Sequence, residues 1–172
     1  MVEQISTGLT KNTNNRIIQE LYRAENWRYG SDNRPEEKHL DRRDAGFILS
    51  TYDVNFNYHK NDILNTLGQV IFDMVEKNTH MRFKKIDRIC FNWYHTGSMM
   101  EFHQDIDLHN KFSIIYNIHD NDGGTEFKVN DKVKFYQSKG SEALLFPSKI
   151  EHRGVAPKEN LNRFCMNMML EI

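Results

Sequence analysis

Near Ile86 the spacing of apolar residues changes from every third or fourth position to every second. A helix brings side chains back to one face every 3.6 residues and a strand every 2, so the change divides helix-forming from sheet-forming chain. Upstream, Ile17, Ile18, Leu21 and Tyr22 follow an Asn-rich cap region at Asn12 to Asn15. A second series, Ile63, Leu67, Val70, Ile71, Met74 and Val75, follows Asn61 or Asp62 as N-cap and is expected to end before Asn78. Each series has one apolar face that must lie against another layer. Downstream, alternation predicts strands over 86–94, 99–105, 112–118, 125–129, 132–137, 143–146 and 163–171. Turn signals separate them: His95-Thr96-Gly97, Asn121-Asp122-Gly123-Gly124, Lys139-Gly140, and Asn130-Asp131, which reads as a two-residue hairpin.

Short strands at regular spacing after N-terminal helices predict an α+β, mainly β fold, a sandwich or jelly roll with the helices packed on one sheet. At 172 residues a single domain is expected, with 1–85 as helical support and 86–172 as the β-core. A net charge of −1 argues against a nucleic-acid binder, which relies on neutralising phosphates. The longest apolar run, 143–146, is far below the ~20 residues of a membrane span. The polar first fifteen residues lack the apolar core of a signal peptide, so a cytoplasmic location is expected. Cys90 and Cys165 sit in apolar segments and read as buried, reduced thiols. The charge-dense stretch 28–44 reads as a solvated loop, or as a flap over a binding site.

His103 and Asp105 are two apart on an expected strand, so imidazole and carboxylate share a face. His152, beyond the strand at 143–146 and Pro147, can close on the same point. Two imidazoles and a carboxylate form a facial triad, which suits ferrous iron that must also bind dioxygen and a substrate, although zinc hydrolysis can use the same ligands. Arg163 opens the last strand on one face with Cys165 and Asn167. A guanidinium inside a barrel is costly unless it meets an anion, and its fork matches a carboxylate; the alternative reading is that Arg163 caps a turn or pairs with a surface acid. His109 and His119 read as solvated turn residues.

Taken together, His103-x-Asp105, Gly123-Gly124-Thr125-Glu126-Phe127, Leu144-Leu145-Phe146-Pro147, His152 and Arg163 resemble the Fe(II)- and 2-oxoglutarate-dependent dioxygenases, and within them the prolyl 4-hydroxylase-like branch. The resemblance covers the C-terminal half. It implies a double-stranded β-helix with Fe(II) held by His103, Asp105 and His152, using 2-oxoglutarate as cosubstrate and O2 as oxidant. It places Arg163 on the distal carboxylate of 2-oxoglutarate, supported by the Tyr116 hydroxyl, with Tyr94 and Asn167 also beside the cosubstrate. Trp93, Phe102 and Phe112 are candidates for dry walls. Two departures stand out: collagen-type prolyl hydroxylases have lysine where this chain has Arg163, and the second arginine of the nucleic-acid demethylases is missing from the last strand. The implied reaction is hydroxylation of a C–H bond, of a prolyl residue in a peptide or protein, releasing succinate and CO2. A free amino acid or other small metabolite is the alternative substrate. A non-catalytic, cupin-like metal-binding module is the alternative of another class.

Overall fold

The computed structural model describes residues 1–29, 46–54, 61–98 and 100–172. Among the described residues, ten strands form two antiparallel sheets, with two helices on the outer face of the larger. In chain order these are β1 (Glu3–Ser6), α1 (Lys11–Arg23), β2 (Arg28–Tyr29), β3 (Phe47–Asp53), α2 (Asp62–Thr79), β4 (Lys85–His95), β5 (Lys111–Asn117), β6 (Gly124–Val129), β7 (Lys132–Gln137), β8 (Glu142–Pro147), β9 (His152–Val155) and β10 (Asn162–Glu171). The large sheet runs β1-β8-β5-β10-β4-β3-β2 and the small one β7-β6-β9. A bridge between His103 and His152 adds one further residue beyond β9. This is the expected jelly roll with helices against one sheet. Among the described residues no helix is long and apolar enough to cross a membrane.

Both helices begin where a side chain satisfies a free N–H of the first turn. Thr10 accepts from the Thr13 amide at α1, and Asn61 accepts from the Leu64 amide at α2. Asn12 to Asn15, expected as a cap, lie inside α1, because Thr10 takes that role first. Asn78 lies inside α2, which ends at His80 in the left-handed conformation. Leu64, Ile71 and Val75 point from α2 into the core, each contributing about 1.5–3 kcal/mol by full burial. Gly68, on the same face, allows close approach: a Cβ there would meet the Ile89 Cδ1 at 2.6 Å.

Alternation on the large sheet separates two cores. Ile89, Phe91, Ile114, Tyr116, Phe164, Met166 and Met168 face the helices, together with Ile17 and Leu21 of α1. Tyr94, Ile115, Leu144, Phe146 and Cys165 face inward and meet Phe127 of the small sheet. The hairpin at Asn130-Asp131 forms as expected, with φ of 50° and 59°.

Several expectations need correction. The first 85 residues supply β1, β2 and β3 to the edges of the large sheet as well as the helices. These strands are short or flanked by polar chain, so their alternation is weak in the sequence. Segment 99–105 is not a strand; among its described residues only His103 makes a bridge. His152 opens β9, with Phe127 opposite, and does not lie in a loop. From residue 30 onward, the charged segment read as loop or flap lies outside the described residues.

Candidate metal and anion site

The two halves of the candidate metal site come from different sides of one bridge. His103 and His152 exchange backbone hydrogen bonds, each amide donating to the other's carbonyl at 2.9 Å, so both imidazoles enter the barrel side by side. Their ring centroids are 4.6 Å apart. Asp105 is drawn in two residues later, where its amide donates to the Ser148 carbonyl at 3.1 Å. His103 Nε2 lies 4.0 Å from Asp105 Oδ1, and His152 Nε2 lies 3.8 Å from Oδ2. One ligand atom from each residue falls within 4.8 Å of the others.

The remaining nitrogens decide whether this set fits a metal. His103 Nδ1 pairs with the Glu101 carbonyl at 3.0 Å, and His152 Nδ1 with the Ile150 carbonyl at 2.9 Å. A carbonyl only accepts, so each Nδ1 carries a proton and each Nε2 is turned to the centre, where the neutral ring offers a lone pair. The Asp105 carboxylate is held from both sides. Ser113 Oγ donates to Oδ2 at 2.6 Å and is braced by Ser148 Oγ at 2.8 Å, while Arg88 lies 3.5 Å from Oδ1. Burial alone would raise its pKa, but His152, Arg88, Ser113 and His103 outweigh burial and hold it below the usual carboxylate value. Two imidazoles that turn Nε2 to the centre and an ionised carboxylate converge here; with the rings neutral this is the donor set a divalent transition metal requires.

A cavity of about 170 Å³ runs from this triad to Arg163 between the two sheets. Arg163 is fully buried, opposite Tyr94 on β4, with its guanidinium 5.1 Å from the centre of the Tyr94 ring. Nη2 donates to Asn117 Oδ1 at 3.4 Å and Thr125 Oγ1 at 3.3 Å, whereas Nε and Nη1 are buried without a partner. Among the described residues no carboxylate pairs with this cation. A buried, half-satisfied guanidinium calls for an anion, and a carboxylate supplies an acceptor that it lacks among the described residues.

Of the residues expected from sequence, His103, Asp105, His152, Arg163, Tyr94 and Asn167 all line this one cavity. The Tyr94 ring leans over Gly154, where a Cβ would lie 2.6 Å from its Cζ. Tyr116 must be corrected. It pairs with Met166 on the helix-facing side of the sheet, and its hydroxyl donates to Asn14 Oδ1 at 2.7 Å. Asn117, the next residue, faces inward instead and reaches Arg163. The alternation in β5, with Ser113, Ile115 and Asn117 on one face, carried that signal: two small polar residues there share the inward face. The supports Ser113, Asn117, Ser148 and Arg88 were not singled out from sequence, because short polar side chains become legible only once strand pairing is known. Trp93 and Phe112 pack on the helix side, and Phe102 lies against Lys128 and Arg153, so none of the three lines the cavity. His109 is exposed as expected, but His119 is half-buried and its Nε2 accepts from the Phe164 amide at 3.1 Å.

These corrections give two predictions. Tyr116→Phe leaves the Asn14 oxygen short of a buried donor and should cost about 1–2 kcal/mol, seen as a thermal shift of roughly 2–8 °C. Binding of a dicarboxylate at Arg163 should be unchanged in a titration; a loss would place the hydroxyl at the anion after all. His119 is held below its ordinary value of 6.5 by burial, then by Arg163. The unfolded chain therefore takes up a proton first. Stability from this residue is complete above about pH 6.5 and declines as pH falls toward the lowered folded value. His119→Gln should show a shallower decline in melting temperature over that window than the parent. Equal slopes would remove His119 from the acid response.

No family profile matches the chain, and no curated protein matches it by sequence. Solved structures do. A prolyl-4-hydroxylase from Pseudomonas putida is 13% identical, with a TM-score of 0.69, covering 99% of this chain and 92% of that one. A Trichoplax adhaerens prolyl hydroxylase, solved with a peptide fragment of the hypoxia inducible factor oxygen degradation domain, is 14% identical with a TM-score of 0.72 over 99% and 83%. An oxidoreductase of the 2OG-Fe(II) oxygenase family from Burkholderia pseudomallei is 15% identical with a TM-score of 0.69 over 99% and 84%. Built around a His-Asp-His cluster and a buried arginine, this chain has the fold of the 2-oxoglutarate/Fe(II) oxygenases, prolyl hydroxylases among them.

Proposed function

We propose that this protein is an Fe(II)- and 2-oxoglutarate-dependent dioxygenase that hydroxylates a C–H bond, of a prolyl residue in a peptide or protein. The observation that carries this reading is Arg163: a buried cation with two unpartnered nitrogens, lining the same cavity as two imidazoles and a carboxylate. A structural metal site does not need that arginine, whereas a dicarboxylate cosubstrate does. This supports an oxygenase over a cupin-like binding module.

In this reading His103, Asp105 and His152 hold Fe(II), and Arg163, aided by Asn117 and Thr125, holds one carboxylate of 2-oxoglutarate. Bound iron with 2-oxoglutarate supplies O2 activation, giving hydroxylated product, succinate and CO2. The chain's own work is placement. The Nδ1 protons stay on the two histidines, Ser113 and Arg88 fix the carboxylate, and Tyr94, Ile115 and Cys165 exclude water between metal and anion. Burial pushes the Cys165 thiol and the Tyr94 hydroxyl up, so both stay protonated. Buried reduced thiols suit the cytoplasm as the working compartment.

Prolyl specificity is supported by the two prolyl hydroxylase likenesses, one of them solved with a peptide. A second reading, hydroxylation of a free amino acid or similar metabolite, is favoured by the polar wall of Arg88, Asn92, Gln104 and Asn167 along the cavity. The test is succinate release from 2-oxoglutarate by the Fe(II)-loaded protein, with proline-containing peptides and free amino acids supplied separately. Succinate and a product 16 Da heavier from peptide support the first reading, and from a free amino acid the second. No 2-oxoglutarate binding and no succinate overturn both.

A further inference from the structure

His103 does not belong to a strand. A reciprocal bridge ties it to His152, and the Asp105 amide ties the chain beyond it to the Ser148 carbonyl, so on the side before His103 another contact must fix the segment. On the inner face, Phe127 stacks on the His152 ring at 5.7 Å between centroids. On the outer face, register puts Arg153 opposite Glu126, and Lys128 two residues further along on the same side. Phe102, the residue before His103, is covered there by both cations: Arg153 lies 4.5 Å and Lys128 4.4 Å from its ring centre. Glu126 in turn accepts from Arg153 Nε at 2.7 Å, fixing the guanidinium over the ring. The chain neighbours of both histidines are thereby joined across the outside of the small sheet.

We infer that Glu126, Arg153 and Phe102, with Lys128, form an outer clasp that sets the spacing of His103 and His152 for metal binding. They act through the ligands as positioning residues. Arg153 contributes a cation held over the ring by Glu126, and Phe102 a ring that anchors the segment on the side before its bridge. Removing either lets the His103 segment pivot about its bridge while the strands of the sheet stay paired. The inference rests on the metal-centre reading.

The experiment is anaerobic titration of the metal-free protein with Co(II), read by its visible absorption, alongside melting of the metal-free forms. Phe102→Ala and Arg153→Gln should each weaken Co(II) by about tenfold, the usual scale for groups that orient ligands. The double variant should be no worse than the weaker single one, since both break the same contact. Phe102→Tyr and Arg153→Lys, which keep a ring and a cation, should restore affinity to within about twofold. The metal-free proteins should melt close to the parent, because these are part-exposed pairs. Parent-like Co(II) binding in both disruptive variants, or failure of both conservative ones to rescue, overturns the clasp while leaving the centre in place. Metal-free forms that no longer fold would assign the contact to folding and overturn it too. A parent that binds no Co(II) overturns the centre itself, and the clasp with it.

Discussion

Arg163→Lys should weaken 2-oxoglutarate by about a hundredfold while leaving metal affinity within a few-fold of the parent, because the fork is lost and the triad is not. Lysine keeps the charge but offers one point donor on a flexible stem. The site was shaped for a planar group: Nη2 reaches Asn117 and Thr125, while the plane lies over Tyr94. A lysine ammonium cannot keep those contacts and present two parallel donors to a carboxylate. Arg163 is also fully buried, so arginine to alanine leaves a hole and stranded acceptors, and melting should be followed with binding. Calorimetry with metal and 2-oxoglutarate added in turn separates the two affinities. Equal losses for both ligands would make Arg163 a structural residue and remove the main support for a dicarboxylate cosubstrate.

Asp105→Ala should have the larger effect on the metal. Outer-shell partners typically cost about 10–100-fold, and a ligand costs more, so affinity should fall by more than about a hundredfold. The substitution also frees Ser113 Oγ and Arg88 from the carboxylate they hold, leaving two imidazoles and no negative charge at the centre. The metal-free protein should keep its fold, since the Asp105 backbone lies in an irregular segment outside the strands. Co(II) titration with circular dichroism distinguishes the outcomes: retained metal affinity would move the centre away from Asp105. Metal affinity of the parent should also fall as pH drops, because both histidines must be neutral to bind.

Much of this fold was legible because alternation has a physical cause. Strands β4, β5, β6, β8 and β10 each bury one or both faces, and their apolar runs announce them within one or two residues; β7, largely exposed, is announced by the Asn130-Asp131 hairpin before it. β1 and β2 are short strands at opposite edges, and β3 lies beside β2 with polar residues in its run. Their backbone pairing brings them into the sheet, and a weak pattern gives no such warning. Residues 99–105 failed in the opposite way: they alternate, but among their described residues only His103 makes a bridge, and the Asp105 amide bonds to Ser148 outside any strand pairing.

The sequence alone determined the chemistry available: two histidines, a carboxylate and an arginine, at spacings that strands can bring together, because side-chain type and period are local properties. Only the tertiary structure decided which neighbour serves the anion. Tyr116 and Asn117 are adjacent in the chain but face opposite sides of β5, and sheet pairing sent the tyrosine to Asn14 and the asparagine to Arg163. The same holds for Ser113, Ser148 and Arg88. A short polar side chain gains its role from what the fold places opposite it, and that information is carried by long-range pairing.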